Sequence, residues 1–386
     1  MKKVLISLTV IMFVLLIGYG FSYAISGVCY NCHTMHASQN GTLMGDGPHP
    51  YLLLYTCIGC HSGPGTAKTN ATTSAPNVLY TSGCPASAGS GSNGQGAAVT
   101  IAGGNFCWVK NGSDALGHNV ADIGVGMDVA IGANITRQPP GWDSGVTDPA
   151  GNAIADATWT QQLTCAGQFG CHGKHTVVGS DAGIFGSHHS NTGGTHTVAT
   201  APDATKPGTG FRFLAGIKGM EETDWEWSET TALHNEYYGI DDTSARVSGS
   251  ASTTDGTISQ LCAECHGKFH SQIDDATTLG TPWLRHPTDI VLDRGAGTEY
   301  SAYNGSATPP TATYALDAPV ARGAVPSTPS SVVTTNVTTT TGAIVMCMSC
   351  HRAHGSPQAD LLRWNYTEMT AGTGGTTGCF RCHTTK

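Results

Sequence analysis

The stretch Cys29-Tyr-Asn-Cys32-His33-Thr-Met-His36 contains two cysteines three positions apart, with a histidine directly after the second. Such a Cys-x-x-Cys-His segment offers two thiols that can add to the vinyl groups of one haem and an imidazole that can bind its iron. The arrangement occurs five times. The other copies are Cys57, Cys60 and His61; Cys262, Cys265 and His266; Cys347, Cys350 and His351; and Cys379, Cys382 and His383.

A single Cys-x-x-Cys pair is also typical of zinc sites and of redox-active thiols. Zinc sites need such pairs at finger-like separations, whereas here a histidine follows the second cysteine in all five copies. The repetition therefore indicates a multihaem c-type cytochrome with covalently attached haem c.

The first 24 residues have the three parts of an export signal. Two lysines follow the initial methionine, residues 4–17 are almost wholly apolar, and Ser22-Tyr-Ala24 supplies the small residues that a signal peptidase reads. We predict a signal peptide over 1–24 and a single multihaem cytochrome domain over 25–386. An uncleaved anchor is the alternative, because the apolar run approaches the length of a membrane span. The signal predicts export into a compartment in which thioether bonds and disulfides both persist, the periplasm being one such compartment.

The composition is poor in the residues that build a large core. Only 12% of residues are charged and 7% aromatic, while small and polar residues fill stretches such as 86–104 and 326–342. Disorder would fit those stretches but not fourteen cysteines and seventeen histidines at cofactor spacing. We therefore predict a loop-rich multihaem cytochrome c fold with short helices, few short strands and a core of stacked haems. The net charge of −9 gives no basic surface for nucleic acid.

Four cysteines lie outside the five motifs. The segment Cys165-Ala-Gly-Gln-Phe-Gly-Cys171-His172 is interpreted as a further attachment site with a longer loop between its thiols, and the alternative is a disulfide between its two cysteines. Cys84 and Cys107 have no adjacent histidine and are predicted to form a disulfide. With 165–172 counted as the third motif, the chain has six motifs, with His33, His61, His172, His266, His351 and His383 as their proximal ligands.

The seventeen histidines exceed the six proximal positions by eleven, which is enough for every iron to take a second imidazole. A catalytic haem keeps one coordination position open, whereas a fully ligated one transfers electrons without binding substrate. The chain also lacks a Cys-x-x-Cys-Lys attachment site, which ammonia-forming nitrite reductases use. We therefore expect an electron-transfer protein and not an enzyme, with a multihaem oxyanion reductase as the weaker alternative.

The order of the motifs resembles that of the OmcS-like extracellular hexahaem c-type cytochromes, a family of cytochrome nanowires. The resemblance spans nearly the whole mature chain and rests on the motifs, since the loops look unrelated. The matching segments are Cys29 to His36, Cys57 to His61, 103–109, Gly117-His-Asn-Val120, Cys171-His-Gly-Lys-His175, Cys262 to His270, Leu284-Arg-His286-Pro287, Cys347 to His354 and the motif near the C-terminus.

The resemblance implies six bis-histidine haems that conduct electrons along a filament of identical subunits toward extracellular acceptors or other cytochromes. It further implies that His36 binds a haem of the neighbouring subunit, at the iron whose proximal ligand is His351. A monomeric periplasmic or surface shuttle is the alternative, in which His36 would bind a haem of its own chain. No membrane contact is expected after signal cleavage. The other distal ligands implied are His118, His175, His270, His286 and His354.

Two features depart from the family pattern. The third motif has five residues between its cysteines where the family has two. His49 and His234 are additional ligand candidates that could replace one of the six distal histidines. His188, His189 and His196 lie in a Gly/Ser-rich stretch and are interpreted as surface histidines or hydrogen-bond partners of ligands.

Overall fold

The computed structural model describes most of the chain downstream of the predicted signal peptide. Residues 1–24, His188 and His189 lie outside the described residues, as do the side chains of His196 and His270. The described residues are 28–39, 42–43, 49–65, 67–85, 100–126, 139–142, 162–184, 194–196, 210–227, 229–241, 256–271, 286, 288–292, 303–304, 312–334, 342–372 and 375–384.

Helices in these ranges are short. They are α1 Cys57–Cys60, α2 Cys107–Asn111, α3 Ser180–Gly183 and α4 Ile258–Ser271. Only α4 exceeds two turns, and its backbone departs from helical geometry at His266. Among the described residues, no helix has the length and apolar character needed to span a bilayer.

Single 3-10 turns occur at two of the attachment motifs, Cys29–Asn31 and Cys347–Ser349, and overlap a third at Gly378–Arg381. The other 3-10 segments are Pro50–Leu52, Asp114–Leu116, Ala121–Ile123, Phe211–Phe213, Ala359–Leu361 and Tyr366–Glu368.

The strands have two or three residues each. They are β1 Ser38–Gln39, β2 Thr42–Leu43, β3 Ser62–Gly63, β4 Leu79–Tyr80, β5 Thr164–Ala166, β6 Gly170–His172, β7 Gly194–His196, β8 Gly219–Glu221, β9 Glu236–Tyr238, β10 Ile290–Val291, β11 Ala312–Thr313, β12 Ala321–Arg322, β13 Val332–Val333 and β14 Ile344–Val345. The predicted loop-rich fold with short helices and short strands is confirmed.

Six strands form one sheet in the order β10-β14-β12-β9-β8-β7. Strands β12 and β9 run parallel with Ala321 opposite Tyr237, and the other neighbours are antiparallel. Arg322 of β12 is fully buried and donates from Nε to Glu236 of β9 over 2.9 Å. Its remaining donors bind backbone carbonyls of residues 330, 332 and 342, so this buried charge is paired and hydrogen-bonded as burial requires.

The side-chain core is divided into small clusters. One surrounds Trp108 and Leu79, a second surrounds Ile217 and Ile344, and a third surrounds Tyr314. Attachment cysteines pack at their edges: Cys165 against the first, Cys171 against the second and Cys382 against the third. The motifs therefore lie between clusters, where bound cofactors would complete the interior.

A disulfide joins Cys84 to Cys107, as the sequence predicts. The Cα atoms are 5.4 Å apart, and the bridge closes a separation of 23 residues. Because Cys107 begins α2 and is completely buried, the bridge attaches Cys84 to the first cluster.

Three backbone segments meet at glycines beside the fifth motif. Gly355 forms bridge contacts with both Gly104 and Gly117. A Cβ atom at Gly104, where φ is +84°, would overlap the carbonyl oxygen of Gly355, and one at Gly117 would lie 2.5 Å from the carbonyl oxygen of His354. Glycine alone permits this approach, which brings the segments of His118 and His354 together.

Candidate haem-attachment sites

Twelve of the fourteen cysteines form no disulfide in the structure, and they are the twelve of the six motifs. Free thiols are uncommon in exported proteins, where disulfides persist. Cys165 and Cys171 are among them, so the alternative disulfide between these two residues is not formed. This pattern fits a chain whose thiols are reserved for thioether bonds.

The third motif is built on two parallel strands, which accounts for its longer gap. Strand β5 pairs with β6 so that Thr164 faces Gly170 and Ala166 faces His172. Cys165 therefore lies opposite Cys171 in the register, on strands whose backbones are about 4.8 Å apart. Five intervening residues thus place the two cysteines on adjacent strands.

Thiols of consecutive motifs lie close together. Cys32 of the first motif is hydrogen-bonded to Cys60 of the second, and burial raises the pKa of both, that of Cys60 to about 12. The pKa of the Cys165 thiol is raised well above its usual range by a hydrogen bond with Cys57 and by burial. The ligand atoms of these two residues and Asp122 lie within 4.8 Å of one another. The first three motifs are therefore adjacent in chain order.

The same holds for the last three motifs. Burial raises the pKa of Cys265 well above its usual range, and Cys171 of the third motif is close enough to add to that rise. A hydrogen bond with Cys347 and burial raise the pKa of Cys262. Burial raises the pKa of Cys350 to about 12, with the thiols of the sixth motif adding to it. The six motifs thus form one unbroken series through the molecule.

Five of the six proximal histidines bind a backbone carbonyl through Nδ1. A carbonyl can only accept, so Nδ1 carries the proton and the lone pair of Nε2 is left for a metal. The contacts join His33 to Tyr51 over 3.3 Å, His61 to Pro76 over 2.9 Å, His172 to Arg212 over 3.0 Å, His266 to Pro140 over 2.7 Å and His351 to Asp360 over 2.7 Å.

Three proximal histidines face a predicted distal histidine at a separation suited to one iron. Two metal–nitrogen bonds of about 2 Å each, together with the radii of the two rings, put the centroids of axial imidazoles about 6 Å apart. The ring centroids are 6.1 Å apart for His118 and His266, 6.3 Å for His172 and His354, and 6.1 Å for His286 and His383.

Burial keeps several of these imidazoles neutral. It lowers the pKa of His172 and His266 to about 4 and that of His354 to about 3. Since a metal binds only the neutral form of imidazole, the surroundings favour the state that ligation needs. His118 adds a Nδ1 contact of 2.6 Å to the carbonyl of Ala353, the same kind of contact as the proximal histidines make.

His175 is completely buried and lies 2.9 Å from the carboxylate of Glu264, through Nδ1. A carboxylate partner on the ring nitrogen opposite the metal is common for ligating histidines. Its Nε2 lies 3.2 Å from the carbonyl oxygen of Cys171, a contact that ligation would have to replace. Sequence reasoning did not identify Glu264, although it lies between the two cysteines of the fourth motif.

The remaining ligand candidates differ in their surroundings. His36 is solvent-exposed, next to Met35, which is 71% exposed. His234 is buried and stacked on Tyr314 at 3.7 Å, and its two ring nitrogens face the carbonyl of Thr230 and the carboxylate of Glu236. This polar network occupies both nitrogens of His234, whereas His49 is only partly buried.

The residues present fit a covalently bound haem at each motif. The cysteines are free and mostly half-buried, and imidazole pairs have the separation of axial ligands. Arg363, which donates its backbone N–H to Cys350, has a buried guanidinium nitrogen, Nη2, without a hydrogen-bond partner. An arginine placed in this way suits the carboxylate of a haem propionate.

Two sequence comparisons also indicate a c-type cytochrome with covalently bound haem. The family described as "Doubled CXXCH motif" matches residues 340–386, which hold the fifth and sixth motifs. The chain is 25% identical to the C-type cytochrome OmcS of Geobacter sulfurreducens, over 89% of this chain and 81% of that protein.

Comparison with solved structures returns OmcS filaments from the same organism. "Cryo-EM of the OmcS nanowires from Geobacter sulfurreducens" has a TM-score of 0.42 and 18% identity, covering 90% of this chain and 85% of that one. "Outer Membrane Cytochrome S Filament from Geobacter Sulfurreducens" has the same TM-score and coverage with 22% identity. The sequence match and the doubled motif confirm the resemblance to OmcS-like c-type cytochromes that the motifs predict.

Proposed function

We propose that this chain is an extracellular electron conduit that holds six haems in an ordered series and assembles end to end with copies of itself. Bound haem supplies one-electron redox chemistry. The observation that carries the proposal is that thiols of each motif lie near those of the next, from Cys32 beside Cys60 to Cys350 within electrostatic range of the sixth motif. A thioether sulfur is bonded to the edge of its haem, so thiols of two motifs that lie near each other make their haems neighbours.

The chain's histidines supply two axial ligands at each iron in this proposal. His118 with His266, His354 with His172, and His286 with His383 are the pairs that their ring separations support. His33, His61 and His351 are left for the predicted distal ligands His36, His175 and His270. With both axial positions filled by nitrogen, no iron has an open site for substrate, which favours electron transfer over catalysis.

Assembly into a filament is proposed from the sequence match and from the surface near the first motif. OmcS is the relative that matches along most of the chain, and structures of it are described as filaments and nanowires. The exposed His36 lies in a segment with several exposed apolar side chains, namely Val28, Tyr30, Met35, Leu43, Tyr51 and Leu52. Large exposed apolar side chains in one segment suit a contact with another protein. We propose that it contacts a second subunit and that His36 binds the iron held by that subunit's fifth motif.

Mass measurement of the purified protein tests the cofactor part of the proposal. We expect the mass of a chain that begins near Ile25 and carries six covalent haems. Electron paramagnetic resonance of the same oxidised sample should show low-spin ferric signals only. A count of five would remove the third motif from the series. A strong high-spin ferric signal would instead favour the reductase alternative, because it indicates an open coordination position.

Electron microscopy of the same sample tests the assembly part. Long unbranched filaments are expected from the mature protein without added partners. A population of single subunits at all concentrations would favour the monomeric shuttle, with its haems unchanged.

A further inference from the structure

Three proximal histidines, those of the first, third and fifth motifs, share an unusual backbone arrangement. In each, the carbonyl that accepts the Nδ1 proton belongs to the first of two consecutive residues with positive φ. None of these residues is glycine, which adopts positive φ without strain. The pairs are Tyr51–Leu52 with φ of 62° and 59°, Arg212–Phe213 with 50° and 59°, and Asp360–Leu361 with 58° and 59°.

The same backbone contacts accompany each pair. The residue after the histidine donates its N–H to the second carbonyl of the pair: Thr34 to Leu52 over 2.8 Å, Gly173 to Phe213 over 2.7 Å and Arg352 to Leu361 over 2.8 Å. The histidine itself lies in bridge contact with the leucine that follows the pair: His33 with Leu53, His172 with Leu214 and His351 with Leu362. We call each pair with its following leucine a clamp.

The three clamps are not products of a common local sequence. The accepting residue lies 18, 40 and 9 positions after its histidine, in loops with different side chains. Although the spacing differs, each accepting pair makes the same two hydrogen bonds to its motif. The three clamps therefore share these hydrogen bonds and not a local sequence. Strained backbone of this kind persists only where the surroundings determine it fully, and it concentrates at functional sites.

The other proximal histidines that bind a carbonyl through Nδ1 do not bind a residue of positive φ, and the other described pair of consecutive positive-φ residues does not bind a motif. His61 and His266 bind the carbonyls of Pro76 and Pro140, neither of which has positive φ. A further pair, Trp225–Glu226, accepts the N–H of Ala102 in place of a motif residue. In the part of the chain that the structure describes, the clamp is therefore specific to the first, third and fifth motifs.

We propose that the clamp is a positioning device for the proximal imidazole. It fixes the Nδ1 proton on a carbonyl and holds the ring so that Nε2 faces the iron, and Tyr51, Arg212 and Asp360 are its positioning residues. The proposal rests on the proposed function, since it gives the imidazole a metal to bind. It distinguishes the three clamped haem sites from the two whose histidines, His61 and His266, bind a proline carbonyl.

Asp360 suits the test because its side chain is exposed and its hydrogen bond to the histidine comes from its backbone carbonyl. Its carboxylate also acts electrostatically on His351, and every Asp360 variant in the test removes that charge equally. Asp360→Gly retains positive φ without strain, whereas Asp360→Val disfavours it through its branched Cβ. In the holoprotein we expect both variants to keep the wild-type mass of covalent haem. We expect the low-spin electron paramagnetic resonance signal of one haem per chain to shift or disappear in Asp360→Val and to remain in Asp360→Gly. Alanine is less disfavoured than valine at positive φ, so the signal of Asp360→Ala should be intermediate between those of the other two variants. Asp360→Ala replaces Asp360→Val in the test if the valine variant does not fold.

The matched control is Gln358→Val, two residues earlier in the same loop, where φ is −102° and ψ is 144°. Valine favours that extended backbone, so the wild-type signals should remain. The proposal is overturned if Asp360→Val (or Asp360→Ala, where only that variant folds) has the same spectrum as Gln358→Val, or if Asp360→Gly loses the signal as well. A wild-type protein without covalent haem would reject the proposed function instead, and its mass distinguishes that outcome.

Discussion

The first and fifth motifs are built on the same clamp but lie in opposite surroundings. At the first motif Cys29 is exposed, and Tyr30 and Met35 are 54% and 71% exposed. At the fifth motif Met348, Arg352 and the neighbouring Arg363 are buried. The clamp therefore needs only backbone contacts with its own motif. His351 itself is exposed, so the buried side chains around the fifth motif do not close that site to another molecule.

The interior behind the fifth motif is charged. Arg352 lies 3.9 Å from Glu229, and burial lowers the pKa of this guanidinium to about 10. Burial raises the pKa of Glu226 to about 7, with Glu229 adding to the rise. Buried groups of both signs fix this region through their mutual contacts, and one change among them leaves another charge without its partner.

His36→Ala should have the largest effect, and it tests the difference between the exposed first motif and the fifth motif directly. We expect filament growth to stop and one haem per subunit to become five-coordinate or water-ligated, because the exposed imidazole of one subunit would no longer reach the fifth motif of the next. Electron microscopy and ferric spin state measure the two effects. His188→Ala is the control and should still polymerise. Long filaments from the His36 variant would disprove ligation between subunits.

Gly104→Ala should destabilise the neighbourhood of the fifth motif strongly. Its Cβ would overlap the carbonyl of Gly355 at a positive φ, and overpacking with backbone strain costs about 3 kcal/mol. Denaturant unfolding of the holoprotein measures the loss. Gly124→Ala is matched to it, since φ there is +72° but no atom lies within 4 Å of the new Cβ. We expect about 1 kcal/mol for that control, and equal losses in both variants would refute the close approach of the three segments.

Glu226→Gln should change how stability depends on pH. The folded pKa of about 7 lies above the ordinary value of 4.5, so the contribution of this carboxyl is complete below pH 4.5 and is lost as pH rises through 7. The glutamine variant cannot ionise, and its stability should gain about 3 kcal/mol relative to wild type between those limits. Unfolding at a series of pH values checks this. An unchanged slope would mean that Glu226 is ionised in the folded protein.

Leu43→Ser should have the smallest effect on the subunit itself. Leu43 is 80% exposed in the β1–β2 hairpin, so unfolding free energy should change by less than about 0.5 kcal/mol. The concentration needed for assembly should rise several-fold if this apolar surface contacts a neighbour, as measured by light scattering. Val178→Ser, at a residue 68% exposed elsewhere, should leave assembly unchanged. Equal behaviour of the two variants would exclude Leu43 from the contact.

The sequence predicts most of the residues for haem attachment and few of the contacts that position them. Thiol and imidazole positions follow from spacing alone, because each motif is local, and the Cys84–Cys107 disulfide follows from the absence of a neighbouring histidine. The clamps could not be predicted, since tyrosine, arginine and leucine give no signal for positive φ. The pairing of His175 with Glu264 depends on contacts between distant segments, which no single sequence encodes locally.

The parallel pairing of β5 with β6 has a consequence for counting cofactors in genomes. Strand alignment and not loop length brings Cys165 beside Cys171, so insertions in the connecting turn can be tolerated so long as the two strands stay aligned. A search restricted to two intervening residues finds five sites in this chain and passes over 165–172. Surveys that also accept a cysteine on one short strand and a Cys-His pair on its neighbour would recover candidate attachment sites that fixed spacing omits.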